Sequence, residues 1–280
     1  MTSPMVQAYV YLEALRMTII AVANHKGGCG KTTTAVNLAA AFAVMGKRVL
    51  LIDLDPQAHA TLGLGFDPDS FNKTMYDVVA GSHIPISGIA VGTAIEWLHL
   101  APSNVSLATA ELELPSVLGK ELILGEQLRT VADKYDFCVI DCGPSLGLLA
   151  VSALVASTHI IIPVQVHYFA FEGLKRVLDT AGTLRRRFYP CSAEVLGVLL
   201  TFVEDRTSYT KHIQHELRES LGDLVFDTVI HRATRLIESP GAGQSVLTYD
   251  PNSRSAIEYK VLAREVLTRV KAKQEVCVGT

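Results

Sequence analysis

Two lysines and three glycines fall in the short stretch Lys26-Gly27-Gly28-Cys29-Gly30-Lys31, and Thr32 and Thr33 follow directly. Residues of these types at this spacing suit the handling of phosphates. Glycines let backbone N–H groups converge on phosphate oxygens with no Cβ in the way, and a helix starting there adds a favourable dipole. Lys31 is then placed to reach the outer phosphates of a nucleoside triphosphate, and the Thr32 hydroxyl to ligate Mg²⁺. A second set of candidates is acidic. Asp53 and Asp55 close one apolar run, and Asp141 closes another. A carboxylate at a strand end beside phosphates can orient water and sense a metal ion.

Such residues need a scaffold that brings several strand ends together. Met17–Ala23 reads as a buried strand, followed by the glycine loop and a helix over Thr33–Met45. Further strands are expected at Val49–Asp55, near Trp97–Leu100, and at Tyr135–Asp141, Ile160–Gln165, Val195–Thr201 and Val225–Ile230. Residues 64–95 read as a surface excursion with a short helix near Met75–Val79. Longer helices are expected at about Leu118–Lys134 and Ser255–Lys273. Most strands are continuously apolar and alternate with helices, and the candidate residues fall at strand C-terminal ends. That pattern predicts an α/β fold, a doubly wound, mostly parallel sheet flanked by helices on both faces. No internal repeat or composition break divides it. Residues 1–16 read as an N-terminal extension, 17–273 as a single domain and 274–280 as a tail.

The chain has 280 residues, 49% of them hydrophobic and 19% charged, which marks it as globular rather than disordered. No apolar run is long enough to span a bilayer, and no basic-then-apolar leader opens the chain. The five cysteines are scattered, and Cys29 sits inside the phosphate loop, where a disulfide would distort the cradle. A reducing cytoplasm is the expected setting. Charge is uneven: 9 Lys and Arg against 14 Asp and Glu up to residue 150, then 16 against 14. The second half includes Arg185-Arg186-Arg187, a candidate anion-binding run.

The spacing Lys-Gly-Gly-x-Gly-Lys-Thr, with Lys26 as an extra lysine, resembles the deviant Walker A loop of the ParA/MinD superfamily of ATPases. Asp53-Leu54-Asp55-Pro56-Gln57, Pro163-Val164-Gln165, Thr228-Val229-Ile230 with Arg235-Leu236, and Tyr249-Asp250-Pro251 resemble further motifs of that family. The likeness runs over about residues 17–270 and is nearest to the Soj-like ParA partition ATPases. It implies Mg²⁺-dependent ATP hydrolysis that is slow without a partner, and dimerisation around ATP. In those terms Lys26 reaches the phosphates of the other subunit, Gly27 through Thr33 cradle the nucleotide, and Asp55 positions the attacking water. Asp141 holds a water of the Mg²⁺ shell, and Thr32 and Asp55 complete the metal site. Asp53 is expected to support the loop by hydrogen bonding.

The resemblance also implies partners. Arginines matching Arg206 and Arg235 bind double-stranded DNA nonspecifically in these relatives, and Arg186 is added here from the basic run. Arginines on a surface release counterions from phosphates without reading bases. A ParB-like adaptor and a nucleoid-associated role in chromosome, plasmid or organelle positioning follow as expectations. Two other readings compete. A MinD-like membrane regulator would use Val261, Leu262, Val266, Leu267 and Val270 of the last helix, although packing on the sheet fits that stripe better. A redox ATPase with an iron–sulfur cluster would need a second cysteine beside Cys142 at the dimer face. No stable membrane association is expected.

Overall fold

A computed structural model describes residues 17–80, 84–114, 117, 119–166, 170–188, 193–204 and 208–278. The N-terminal extension 1–16 and Arg206 lie outside the described residues. Along the chain come β1 (Thr18–Val22), α1 (Lys31–Val44), β2 (Val49–Leu54), α2 (His59–Gly63), α3 (Met75–Val79), β3 (Val91–Gly92), β4 (Leu98–Ala101) and α4 (Leu107–Glu113). The middle of the chain supplies α5 (Ile123–Arg129), β5 (Phe137–Cys142), α6 (Leu148–Ala156), β6 (His159–Gln165) and α7 (Ala170–Arg187). It continues with β7 (Glu194–Val203), α8 (Ser208–Leu221), β8 (Val225–His231), α9 (Arg235–Gly241), α10 (Val246–Tyr249) and α11 (Arg254–Val278).

The strands form one sheet in the order β3-β4-β2-β5-β1-β6-β7-β8. Neighbours run parallel except β3, which pairs antiparallel with β4. Strand side chains alternate between faces, so a strand covered on both sides must be apolar throughout. β1 shows this directly: Ile19 and Ala21 enter the core on one face, Ile20 and Val22 the core on the other. Helices α3 to α8 cover the first face. α1, α9, α10 and α11 cover the second. The expected doubly wound fold is the observed one.

α1 is buried from Thr34 to Ala43, and its run of alanines suits a helix surrounded by protein. α11 lays Tyr259, Leu262, Val266 and Val270 into the same core. Arg269 pins that helix down. Its guanidinium donates to the carbonyls of Leu196, Asp223 and Val225 and lies 4.2 Å from the Phe226 ring centroid. Much of the apolar stripe a membrane would need is therefore covered by protein, though Val261 remains exposed. Among the described residues, no helix is long and apolar enough to cross a membrane.

Several expected elements differ from those observed. Residues 64–95 are not a simple surface excursion, because Met75, Val78, Val79, Ile86 and Ile89 are buried core. The helix expected over 118–134 is confined to α5, with a 3₁₀ turn at Lys120–Leu122 ahead of it. Gly119 at φ 72° turns the chain just before that segment. α4 and the two-residue β3 carry too little periodicity to read from sequence. α1 begins two residues earlier than expected, at Lys31, and α11 continues past Lys273 to Val278.

One buried base gives the fold a pH dependence. His159 opens β6, and its Nδ1 lies 2.9 Å from the Thr158 hydroxyl. Burial pushes its pKa down to about 4; Glu194 opposes the shift and Lys273 adds to it. The unfolded chain binds this proton at an ordinary histidine pKa, so the contribution is complete above that value and is lost as pH falls towards 4. Across that window the loss is about 2–3 kcal/mol. His159→Gln is expected to flatten this part of the acid limb, read by urea unfolding at neutral pH and near pH 4.5. Equal acid losses in wild type and variant would show that the folded protein does not hold His159 neutral.

Candidate active site

The phosphate-loop and acidic candidates arrive at the carboxyl edge of the sheet, where β1, β2 and β5 end. The loop after β1 is braced from β6 and β7. Asn24 Nδ2 donates to the Pro163 carbonyl at 2.7 Å, and Asn24 Oδ1 accepts the Lys26 N–H at 3.1 Å. The Thr201 hydroxyl donates to the Cys29 carbonyl at 2.8 Å. Cys29 is buried, and its Sγ donates to the Lys26 carbonyl. Gly28 and Gly30 have φ 70° and 87°, so both occupy left-handed backbone. A Cβ on Gly30 would also sit 3.3 Å from the Phe202 ring. Both positions therefore suit glycine.

The two lysines part company here. Lys31 is 7% exposed and turns back into the loop, its Nζ donating to the Lys26 carbonyl at 2.9 Å. Lys26 is exposed, as are Gly27 and Gly28. Thr32 and Thr33 are part-exposed at the first turn of α1.

The acids form a buried group. In the parallel register of β2 and β5, Asp53 stands beside Asp141. Asp53 Oδ2 accepts both the Thr61 N–H and hydroxyl, and Oδ1 accepts the Asp55 N–H. It thus fastens α2 to the end of β2, a supporting role whose partners are Thr61 and the Asp55 N–H rather than the loop expected. Burial raises the Asp53 pKa to about 6, with the Asp55 charge adding to the shift and the hydrogen bonds resisting it. Asp141 is fully buried, and among the described residues neither carboxylate oxygen has a partner at hydrogen-bonding distance and angle. Burial first, then the charges of Asp53 and Asp55, push its pKa well above the usual carboxylate range; the Thr32 hydroxyl and the Lys31 charge offset part of this. Two carboxylate oxygens without a close partner at full burial are costly in a folded protein, and the nearby Thr32 and Lys31 offset only part of that cost. A cation at this point would remove the cost, so the residues fit Mg²⁺. Asp55 is 6% exposed, with Oδ1 accepting the Gln57 N–H at 2.9 Å. Its carbonyl accepts the Ser103 hydroxyl, and Gly143 after β5 packs against its carboxylate.

Several contributors were not visible in the sequence. A cavity of about 350 Å³ opens beside the loop, lined by Gly28, Thr33, Phe202, Arg232, Ala233 and Leu236 among others. Phe202 and Ala58 both carry positive φ, 51° and 53°, the first near the end of β7 and the second directly before α2. Backbone held this way by non-glycine residues concentrates at functional sites. Their positions became informative only once the strands were aligned. His25 also meets Arg176 of α7 at 3.3 Å.

The arginines are not gathered into one patch. Arg235 opens α9 and is 51% exposed in its side chain, while Arg186 stands near the end of α7 and donates to the Thr183 hydroxyl. Those helices cover opposite faces of the sheet. The Cys142 thiol, considered for an iron–sulfur cluster, is buried in the core and burial pushes its pKa up. A cluster-bound thiolate needs the opposite.

Comparison with known proteins places this geometry in company. Residues 17–191 match the family model described as an AAA domain. The chain is 42% identical over 248 residues to the sporulation initiation inhibitor protein Soj of Bacillus subtilis, covering 89% of this chain and 97% of Soj. It is 37% identical over 265 residues to the chromosome partitioning protein ParA of Caulobacter vibrioides, covering 94% and 98%. Among solved structures it resembles cobyrinic acid a,c-diamide synthase from Mycobacterium smegmatis with bound ADP and magnesium. That match has a TM-score of 0.80 at 32% identity and covers 92% of this chain and 96% of the other.

Proposed function

The chain belongs to the family of AAA-domain ATPases that includes Soj and ParA, and from that premise we propose that it is an ATP hydrolase whose ATP-bound dimer holds nonspecific double-stranded DNA and positions a cargo. The cargo is a chromosome region, a plasmid or a protein organelle. A ParB-like adaptor stimulates an otherwise slow turnover, and the protein works in the cytoplasm on the nucleoid. The observation that carries the ATPase part is Asp141, with both oxygens orphaned beside Thr32 and Lys31.

In this reading the backbone from Gly27 to Thr33 cradles the phosphates, and Lys31 exchanges the Lys26 carbonyl for a phosphate oxygen. Thr32, Asp141 and Asp55 are the residues that would hold Mg²⁺. When bound there, Mg²⁺ neutralises charge on the phosphate oxygens. Asp55, with Oδ1 already held by the Gln57 N–H, has its second oxygen left to orient the attacking water. The Phe202 cavity receives the base; the choice of adenine rests on the family, since Ala233 has no polar side chain and the His231 ring nitrogens are engaged with Glu258 and Arg254. Lys26 leaves its own loop and reaches the partner subunit's phosphates. ATP drives the change only if it binds the dimer better than the monomer.

Arg235, Arg206 and Arg186 are the proposed DNA contacts, with Lys and Arg charge rather than base edges setting affinity. The test is binding to nonspecific duplex with ATP, ADP or no nucleotide across a salt series. Binding is expected with ATP alone, weakening as salt rises, and Arg235→Ala should lower the salt slope by about 0.9 for each phosphate it no longer neutralises. Intact ATP binding with no DNA binding in any nucleotide state would remove DNA as the surface on which this ATPase works.

A further inference from the structure

The proposed DNA arginine is not bare. Arg235 Nη1 donates to Glu238 Oε2 at 2.8 Å, and its Nε meets Asp250 Oδ2 at 3.0 Å. Its guanidinium lies 6.0 Å from the Tyr249 ring centroid, and the Tyr249 hydroxyl is 3.5 Å from the same Glu238 oxygen. Two carboxylates from α9 and from the end of α10 thus enclose one guanidinium. The pattern extends to its neighbours. Arg232 pairs with Glu204 at 2.9 Å, and Arg254 with Glu258 at 2.8 Å. Arg232, Arg235 and Arg254 are all at least half exposed in their side chains, yet each is closed on a carboxylate. Glu204, Glu238, Asp250 and Glu258 outnumber them, so this face carries no net positive charge from these groups.

An arginine expresses little of its affinity for phosphate while two carboxylates hold its donors. We propose that Glu238 and Asp250 form an acidic clasp on Arg235 that competes with DNA phosphates and sets how tightly the ATP-bound protein holds DNA. This rests on the DNA-binding reading given above. The clasp offers a physical reason for weak, reversible grip: a phosphate that engages Arg235 through two donors must first displace a carboxylate. A guanidinium presents its donors on two planar edges, so a phosphate on the Nε/Nη2 edge must displace Asp250 and one on the Nη1/Nη2 edge must displace Glu238. The chemistry requires no change in backbone, since Arg235 already stands at the exposed start of α9.

The experiment measures the affinity of full-length protein with ATP for nonspecific duplex, by fluorescence anisotropy across a salt series. Wild type is compared with Glu238→Gln, Asp250→Asn, their combination, Arg235→Ala, and each neutralising change in the Arg235→Ala background. Exposed ion pairs of this kind are expected to yield about 2- to 5-fold tighter binding for each neutralised acid. The gain must disappear when Arg235 is alanine. A gain that persists without Arg235 would mean that these acids act only through general surface charge, and the clasp would be wrong. DNA binding that depends on Arg235 but is unchanged or weakened by both neutral variants would equally overturn the clasp while leaving the DNA reading in place. Absence of ATP-dependent, salt-sensitive binding by the wild type removes both. Because the glutamine and asparagine replacements are isosteric, thermal unfolding with ATP is expected to match wild type. Should it not, Glu238→Ala provides a second variant that removes the carboxylate at a part-exposed position, with tighter binding expected.

Discussion

Asp55→Ala is expected to leave ATP binding and the ATP-bound dimer intact while lowering turnover by at least about 100-fold, the scale on which a positioned carboxylate contributes to proton transfer. The expectation comes from where the residue sits. Asp55 lies just past the end of β2, buried but not walled in, with one oxygen fixed by the Gln57 N–H and its carbonyl fixed by Ser103. Its neighbour Asp53 is occupied by Thr61 and the Asp55 N–H, and so supports rather than reacts. Removing the Asp55 side chain costs one local hydrogen bond and leaves the apolar core untouched, so the fold should survive. Phosphate release measures turnover, and a fluorescent ATP analogue measures binding. Asp55→Asn separates charge from shape, because its amide oxygen can still accept from Gln57. Turnover within a few-fold of wild type in Asp55→Ala would move the water-positioning role elsewhere.

The second large effect belongs to Lys26. Lys26→Ala is expected to weaken the ATP-dependent dimer by at least about 30-fold, the scale for truncating one partner of a desolvated charge pair across an interface. ATP binding by the monomer should persist, since Lys31 and the loop backbone remain. The structural ground is the divergence of the two lysines. Asn24 fixes the Lys26 N–H, and Lys31 and Cys29 both donate to its carbonyl, so the main chain is anchored while the side chain is exposed. Sedimentation velocity with ATP in an Asp55→Ala background reads the dimer without interference from hydrolysis. An unchanged sedimentation profile would count against a role for Lys26 across subunits.

The two effects separate cleanly in a single series. Asp55 variants should accumulate ATP-bound dimer, whereas Lys26 variants should not form it. That contrast would place the two residues at successive stages of one cycle, closure and then hydrolysis.

Much of this molecule was legible before any coordinates. Short runs rich in Val, Leu and Ile such as Val49–Leu54 and Ile160–Val164 indicate strands buried on both faces, because β-branched residues at that length suit a covered sheet better than a helix. Glycine spacing at Gly27, Gly28 and Gly30 dictates a phosphate-sized cradle, because few other residues tolerate the backbone at Gly28 and Gly30. Acids at strand ends mark the working edge of the sheet. These signals are local, carried by residues adjacent in the chain, and local chemistry survives in a one-dimensional record.

Tertiary structure alone decided the remainder. The burial of Met75, Val78, Ile86 and Ile89 depends on which strands lie beneath them, and a Gly- and Ser-rich composition disguised it. The pairing of Asp53 with Asp141 arises from the register of β2 against β5, strands distant in sequence. The different fates of Lys26 and Lys31 follow from braces donated by β6 and β7 through Asn24 and Thr201. The enclosure of Arg235 joins α9 to the end of α10 across a turn. Each of these is a relation between segments that only folding brings within hydrogen-bonding range. A sequence names the charges, and the fold determines which of them meet.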